Sequence, residues 1–203
     1  MERNKILNLI GIFLISLALL RLFFLYQVDA IFQFFWLCNH VPLILGTAIL
    51  FRANKLLIAE FCIGFFGMFV YVMDYIIYLL WGISYTGNFQ FFGSALPLAV
   101  SLAMHVLTMP LAFLAIWIIN KKEINAWTYS LIHILFLLPI VLYLGPAANV
   151  NCLFKSCISF MPTNEFYSLI LILAYFSLLI LPLNLLFNEL LGKNRKRLRN
   201  SSR

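Results

Sequence analysis

The chain has 203 residues, 64% of them hydrophobic and 10% charged, with a formal net charge of +7 and a mean hydropathy of +1.00. A soluble domain carries roughly 25% charged and 45–50% apolar residues, so this composition excludes a water-soluble globular protein. It predicts an all-α polytopic membrane protein that uses lipid as its solvent, with little room for a separate soluble domain.

A spanning helix needs about 20 apolar residues. Six segments fit: 6–26, 31–51, 56–81, 92–119, 127–144 and 165–191. They predict a bundle of six transmembrane helices over residues 1–192, followed by a basic tail over 193–203. The first segment follows Arg3 and Lys5, as a signal peptide would. It is too long for an h-region and lacks a small-x-small cleavage site, so it reads as a signal anchor kept as the first helix. The connections are short except 145–164, and the sequence shows no internal repeat.

Six spans put both termini on one side. That side collects Arg3, Lys5, Arg52, Lys55, Lys121, Lys122 and the tail "KNRKRLRNSSR". The other side holds Lys155, with Arg21 near the outer end of the first helix. Positive residues mark the cytoplasmic side, so both termini are expected in the cytoplasm and the bundle in the cell membrane. The tail reads as an orientation signal that touches anionic headgroups rather than nucleic acid. The loop "NVNCLFKSC" is then exported, where Cys152 and Cys157 either pair as a disulfide or stay reduced.

Polar residues interrupt the apolar run at "FFWLCNHVP", residues 34–42. Ionisable groups inside a bilayer are costly and normally face the bundle interior. At 1.5 Å rise per residue, Cys38 is expected about 10 Å below the outer surface, His40 slightly deeper, Asp74 about 10 Å down and His105 about 16–20 Å down. His133 and Glu60 are expected near the inner face, away from these groups. Cys38 and His40 lie about 200° apart on an ideal helix, so they share one focus only if the helix is distorted. Pro42 has no N–H for the Cys38 carbonyl, and Pro97 and Pro110 act likewise on Gly93 and Val106. The bland alternatives are a packing role for Cys38, a helix–helix hydrogen bond for Asn39 and a structural Asp74–Arg21 ion pair.

The stretches "FFWLCN", "VMDYIIYLLWG", "VSLAMHVLTMP", "NKKEINAW" and "ANVN" resemble, in order and spacing, a group of uncharacterised prokaryotic six-helix integral membrane proteins. The resemblance covers roughly residues 34–151 and implies shared polar positions at Cys38, Asn39, Asp74, His105, Asn149 and Asn151. More remotely, the Cys-Asn on one helix and the His two helices later look like the YwaF-like integral membrane proteins. These in turn look related to membrane enzymes of lipid acyl transfer and fatty-ester hydrolysis. Val106 stands where a glycine usually follows the His.

Two functions follow as expectations. The first is a lipid acyl-ester hydrolase or acyltransferase, with Cys38 as nucleophile, His105 as base and Asp74 orienting the base. In it Asn39 donates to the oxyanion, Asn149 and Asn151 line the outer mouth, and a lipid-like substrate enters sideways from the outer leaflet. The second is a non-enzymatic ligand-binding or transport module built on the same cluster, with His40 also in the site. A metal or haem held by Cys38, His40, Asp74 and His105 is the lesser alternative. No dense ligand motif supports it, so no cofactor is expected.

Overall fold

The computed structural model describes residues 2–84, 95–156 and 166–201, with side chains up to Leu191. It is all-α. In chain order the helices are α1 (Glu2–Gln27), α2 (Leu37–Leu50), α3 (Asn54–Trp81), α4 (Ala95–Ile119), α5 (Trp127–Ala148) and α6, in which Tyr167–Ala174 and Leu181–Ser201 flank a π-helical turn at Tyr175–Ile180. Five of the six are long and apolar enough to cross a membrane, and α2 is the shorter exception. Large apolar side chains point outward from these helices, for example Leu9 and Phe23 of α1 and Phe136 and Tyr143 of α5. Such outward faces suit a lipid surrounding better than water.

α1, α2, α3 and α4 close a ring in which α1 packs on both α2 and α4. α5 and α6 pack outside it, on α3. α3 is therefore the central helix, and Leu57, Ile58, Phe61, Cys62, Ile63 and Met68 on it are almost wholly buried. α1 and α2 approach backbone to backbone. A Cβ built on Gly46 would fall 2.7 Å from the Gly11 carbonyl oxygen, and one on Gly11 would fall 2.8 Å from Leu50. Small residues of this kind let helices gain contact by close packing.

One end of the bundle carries the start of α1, the α2–α3 turn and the α4–α5 connection. There the Arg3 guanidinium donates to the Ile118 carbonyl. Arg52, at φ 56° in the turn, donates to the Asn8 side chain at 2.9 Å. The Asn188 amide of α6 accepts from the Glu123 N–H at 2.9 Å and donates to the Glu123 carbonyl at 3.2 Å. This pairing holds the 120–126 connection against α6. Arg3, Lys5, Arg52, Lys55, Lys121 and Lys122 thus share one end, as the alternation of helices requires.

The predicted second span, 31–51, is not one helix. Ile31–Phe35 forms a 3-10 turn, and α2 begins only at Leu37. The reason is a tertiary bond. The Asn151 amide accepts from the Leu37 N–H at 2.8 Å and donates to the Phe35 carbonyl at 3.2 Å, across the break. Phe32, Phe35 and Trp36 pack beside Leu137, Val141, Val150 and Leu153 in a second, smaller apolar cluster. The chain reaches that cluster because α5 is broken at Gly145 (φ 73°, ψ −176°), followed by Asn149, Asn151 and Cys152 at positive φ. Pro97, expected to kink the fourth span, lies in the first turn of α4, where its missing N–H costs no intrahelical bond. Gly93 lies outside the described residues. Pro110 does sit inside α4.

Candidate functional site

Cys38, Asn39 and His40 leave α2 in three directions. Cys38 packs against the edge of the main core cluster. The Asn39 carbonyl oxygen accepts from Arg21 Nε of α1 at 3.2 Å, and its amide donates to the Gln33 carbonyl at 2.7 Å. His40 turns toward α5. Successive helical residues differ by about 100°, so one undistorted turn cannot aim all three at one point.

The first polar group lies inside the four-helix ring. It contains Arg21 from α1, Cys38 and Asn39 from α2, Tyr71 and Asp74 from α3, and Ser101 and His105 from α4. The Arg21 charge acts on Cys38, Tyr71 and His105. The His105 ring stacks on Tyr71 with centroids 3.7 Å apart and planes 15° apart. The Tyr71 hydroxyl and Ser101 Oγ share a hydrogen bond of 3.0 Å. Asp74 Oδ2 accepts from the Ser84 hydroxyl at 3.0 Å.

His105 is 3% exposed, and its two nitrogens are unequal. Nδ1 lies 2.6 Å from the Ser101 carbonyl one turn earlier. A carbonyl only accepts, so Nδ1 holds the proton and the neutral ring presents a lone pair at Nε2. That Nε2 is buried with no hydrogen-bond partner among the described residues. A buried polar atom left unpaired costs roughly 1–3 kcal/mol. The ring orientation therefore comes from Ser101, not from Asp74 as expected. Cys38 is a free thiol, and no hydrogen bond joins it to His105, whose only ring bond among the described residues is the one to Ser101.

The second polar group contains His40, His133 and Glu60. His40 does not stand with His105. Its Nε2 lies 2.9 Å from Nε2 of His133, whose Nδ1 lies 2.8 and 2.9 Å from the two Glu60 carboxylate oxygens. Its own Nδ1 bonds the Phe34 carbonyl at 3.0 Å. His40 sits about 15 Å above the α2–α3 turn, while Glu60 and His133 sit about 9 Å above the same end of the bundle. Two imidazole side chains span the difference. With both ring nitrogens engaged, His40 has none left to share a haem with His105. Among the described residues no group of three or more His, Cys, Asp or Glu is placed to hold a metal ion.

Asn149 and Asn151 serve the backbone. Asn149 ends α5 in the left-handed conformation, and its Oδ1 accepts from the Phe154 and Lys155 N–H groups at 3.0 and 2.9 Å. Asn151 bridges Phe35 and Leu37, as described. Cys152 is disulfide-bonded, and Cys157 lies outside the described residues. Arg21, Tyr71, Ser101, Glu60 and His133 are the polar residues that sequence reasoning left out of its site. Tyr71 and Ser101 had a signal, since they stand three and four positions before Asp74 and His105 on the same helix faces. The chain matches no family model, no curated protein and no solved structure.

Proposed function

We propose that this chain is an integral protein of the cell membrane, with both termini cytoplasmic, that works as a non-enzymatic ligand-binding or transport module. The gathering of basic residues at one end of the bundle supports that orientation. The observation that carries the function is His105 Nε2, an acceptor with no partner among the described residues, buried where α1, α2, α3 and α4 meet. An orphan lone pair in a polar, water-poor interior is a place for a ligand that brings an O–H or N–H. The membrane itself supplies donors with apolar tails, so the occupant is a lipid-like alcohol, acid or amide. The acyl-transfer alternative requires the Cys38 thiol on His105, and the ring makes no such bond.

A donor test separates the readings. Purified protein in nanodiscs is heated with dodecanol, or with dodecyl methyl ether, which has the same tail and no donor. Stabilisation by the alcohol and not the ether, lost in His105→Phe, is the expected result. Equal effects of alcohol and ether, or of wild type and variant, would refute ligand binding at Nε2. His105-dependent acylation of Cys38 by a β-lactone probe would instead restore the enzyme.

A further inference from the structure

Glu60, His133 and His40 form a continuous hydrogen-bonded chain that joins α3, α5 and α2. Glu60 is 1% and His40 8% exposed, and the His133 side chain is 10% exposed. The chain ends at the Phe34 carbonyl. Its hydrogen atoms can be counted from chemistry alone. The Phe34 carbonyl must accept, so His40 Nδ1 carries a proton. The His40–His133 bond needs one proton between its two nitrogens, and the His133–Glu60 bond needs one between nitrogen and carboxylate. Three bonds thus hold three protons, and the unit is electrically neutral.

Three arrangements satisfy that count with every bond intact. The mobile positive charge is absent when Glu60 is a carboxylic acid. It rests on His133 when the Glu60 proton moves to Nδ1. It rests on His40 when the Nε2 proton of His133 follows. No other count works as well. Removing one proton leaves lone pair facing lone pair at one bond. Adding one either sets N–H against N–H at the 2.9 Å His40–His133 contact or leaves an imidazolium in the interior with no counter-charge, which is strongly disfavoured.

We propose that Glu60, His133 and His40 are a single-proton binding site whose occupancy holds α2 against α5, so that the protein couples proton binding to the position of α2. A proton lost to or taken from water at this site breaks one of the bonds that tie the three helices. His133 is the one titratable group that acts electrostatically on His40 and on Glu60 among the described residues. The same helices also carry Cys38 on α2, Lys55, Cys62, Tyr71, Asp74, Tyr75 and Tyr78 on α3, Tyr129 and Tyr143 on α5, and Tyr167, Tyr175 and Glu189 on α6. None of these groups acts electrostatically on His40 or Glu60. Arg21 acts instead on the His105 group. The proton site does not depend on what occupies His105, and it stands if the ligand reading falls.

The test is 15N NMR of histidine-labelled full-length protein in nanodiscs, from about pH 4 to about pH 9, the range that perturbed histidines and carboxylates cover. At neutral pH a 15N–15N coupling should cross the His40–His133 hydrogen bond. It should vanish in one step as a proton is gained or lost, with both rings changing at the same pH. Glu60→Gln tests the count, because a glutamine amide can donate to His133 Nδ1 and keep all three bonds with no acidic proton to release. This variant should keep the coupling at neutral pH and lose the step on the alkaline side. Rings that titrate at separate pH values overturn the proposal. So does a coupling unchanged across the range, which would make the chain a fixed structural clasp.

Discussion

Asn151 shows how far one side chain reaches. Its amide supplies the first N–H of α2 with an acceptor and the preceding turn with a donor. A helix start normally finds that acceptor in its own N-cap residue, but here the cap is Trp36, which offers none. Asn151→Ala should therefore cost about 1–2 kcal/mol, in the range of a lost cap, and Asn151→Asp should recover the acceptor half alone. Reversible unfolding in mixed micelles measures both, and an unchanged midpoint in Asn151→Ala would show that the strap contributes nothing. The residue was singled out from sequence for a place at the site mouth. Its structural use was not legible, because the groups it binds lie more than a hundred positions away.

At the scale of the helix, α1 and α2 are coupled through glycines. The Gly46 Cβ position lies 2.7 Å from a backbone oxygen and 2.8 Å from Ile15. Backbone cannot rotate aside as a side chain can, so Gly46→Ala must separate the helices. Overpacking of this kind costs about 1–3 kcal/mol. Gly67, on α3 with open space around it, is the control, and Gly67→Ala should be neutral or slightly stabilising through helix propensity. Equal loss at both positions would mean that the close approach is not what matters. The six apolar segments themselves were plain in the sequence, since each long helix needs only its own run of apolar residues. The start of α2 was not, because "IFQFF" is apolar enough to continue a helix, and only its packing on α5 and the Asn151 bond decide otherwise.

At the scale of the molecule, the arrangement of charges makes a topological prediction. Impermeant lysine-reactive label applied to intact cells should modify Lys155 and spare Lys121 and Lys122, which share the opposite end of the bundle. Labelling of Lys121 and Lys122 from outside would invert the orientation. The same scale separates the two polar groups. One, around Arg21 and His105, is enclosed by the four-helix ring. The other, Glu60–His133–His40, lies where α5 meets the ring from outside. Sequence depth arithmetic assigned His40 to the first because depth along a helix does not tell which neighbouring helix a side chain faces.

The chain alone sets the apolar composition of the helical bundle, the number of its helices and the end at which the basic residues gather. Those properties are sums over local segments, and each segment carries its own signal. It also set the angle between Cys38 and His40, since helical phase is local. Only the tertiary structure decided which polar groups meet. Hydrogen bonds inside an apolar bundle are chosen by what stands opposite, and that depends on which helices are neighbours and where each one starts. Thus His105 took the Ser101 carbonyl rather than Asp74, and His40 took His133 rather than His105.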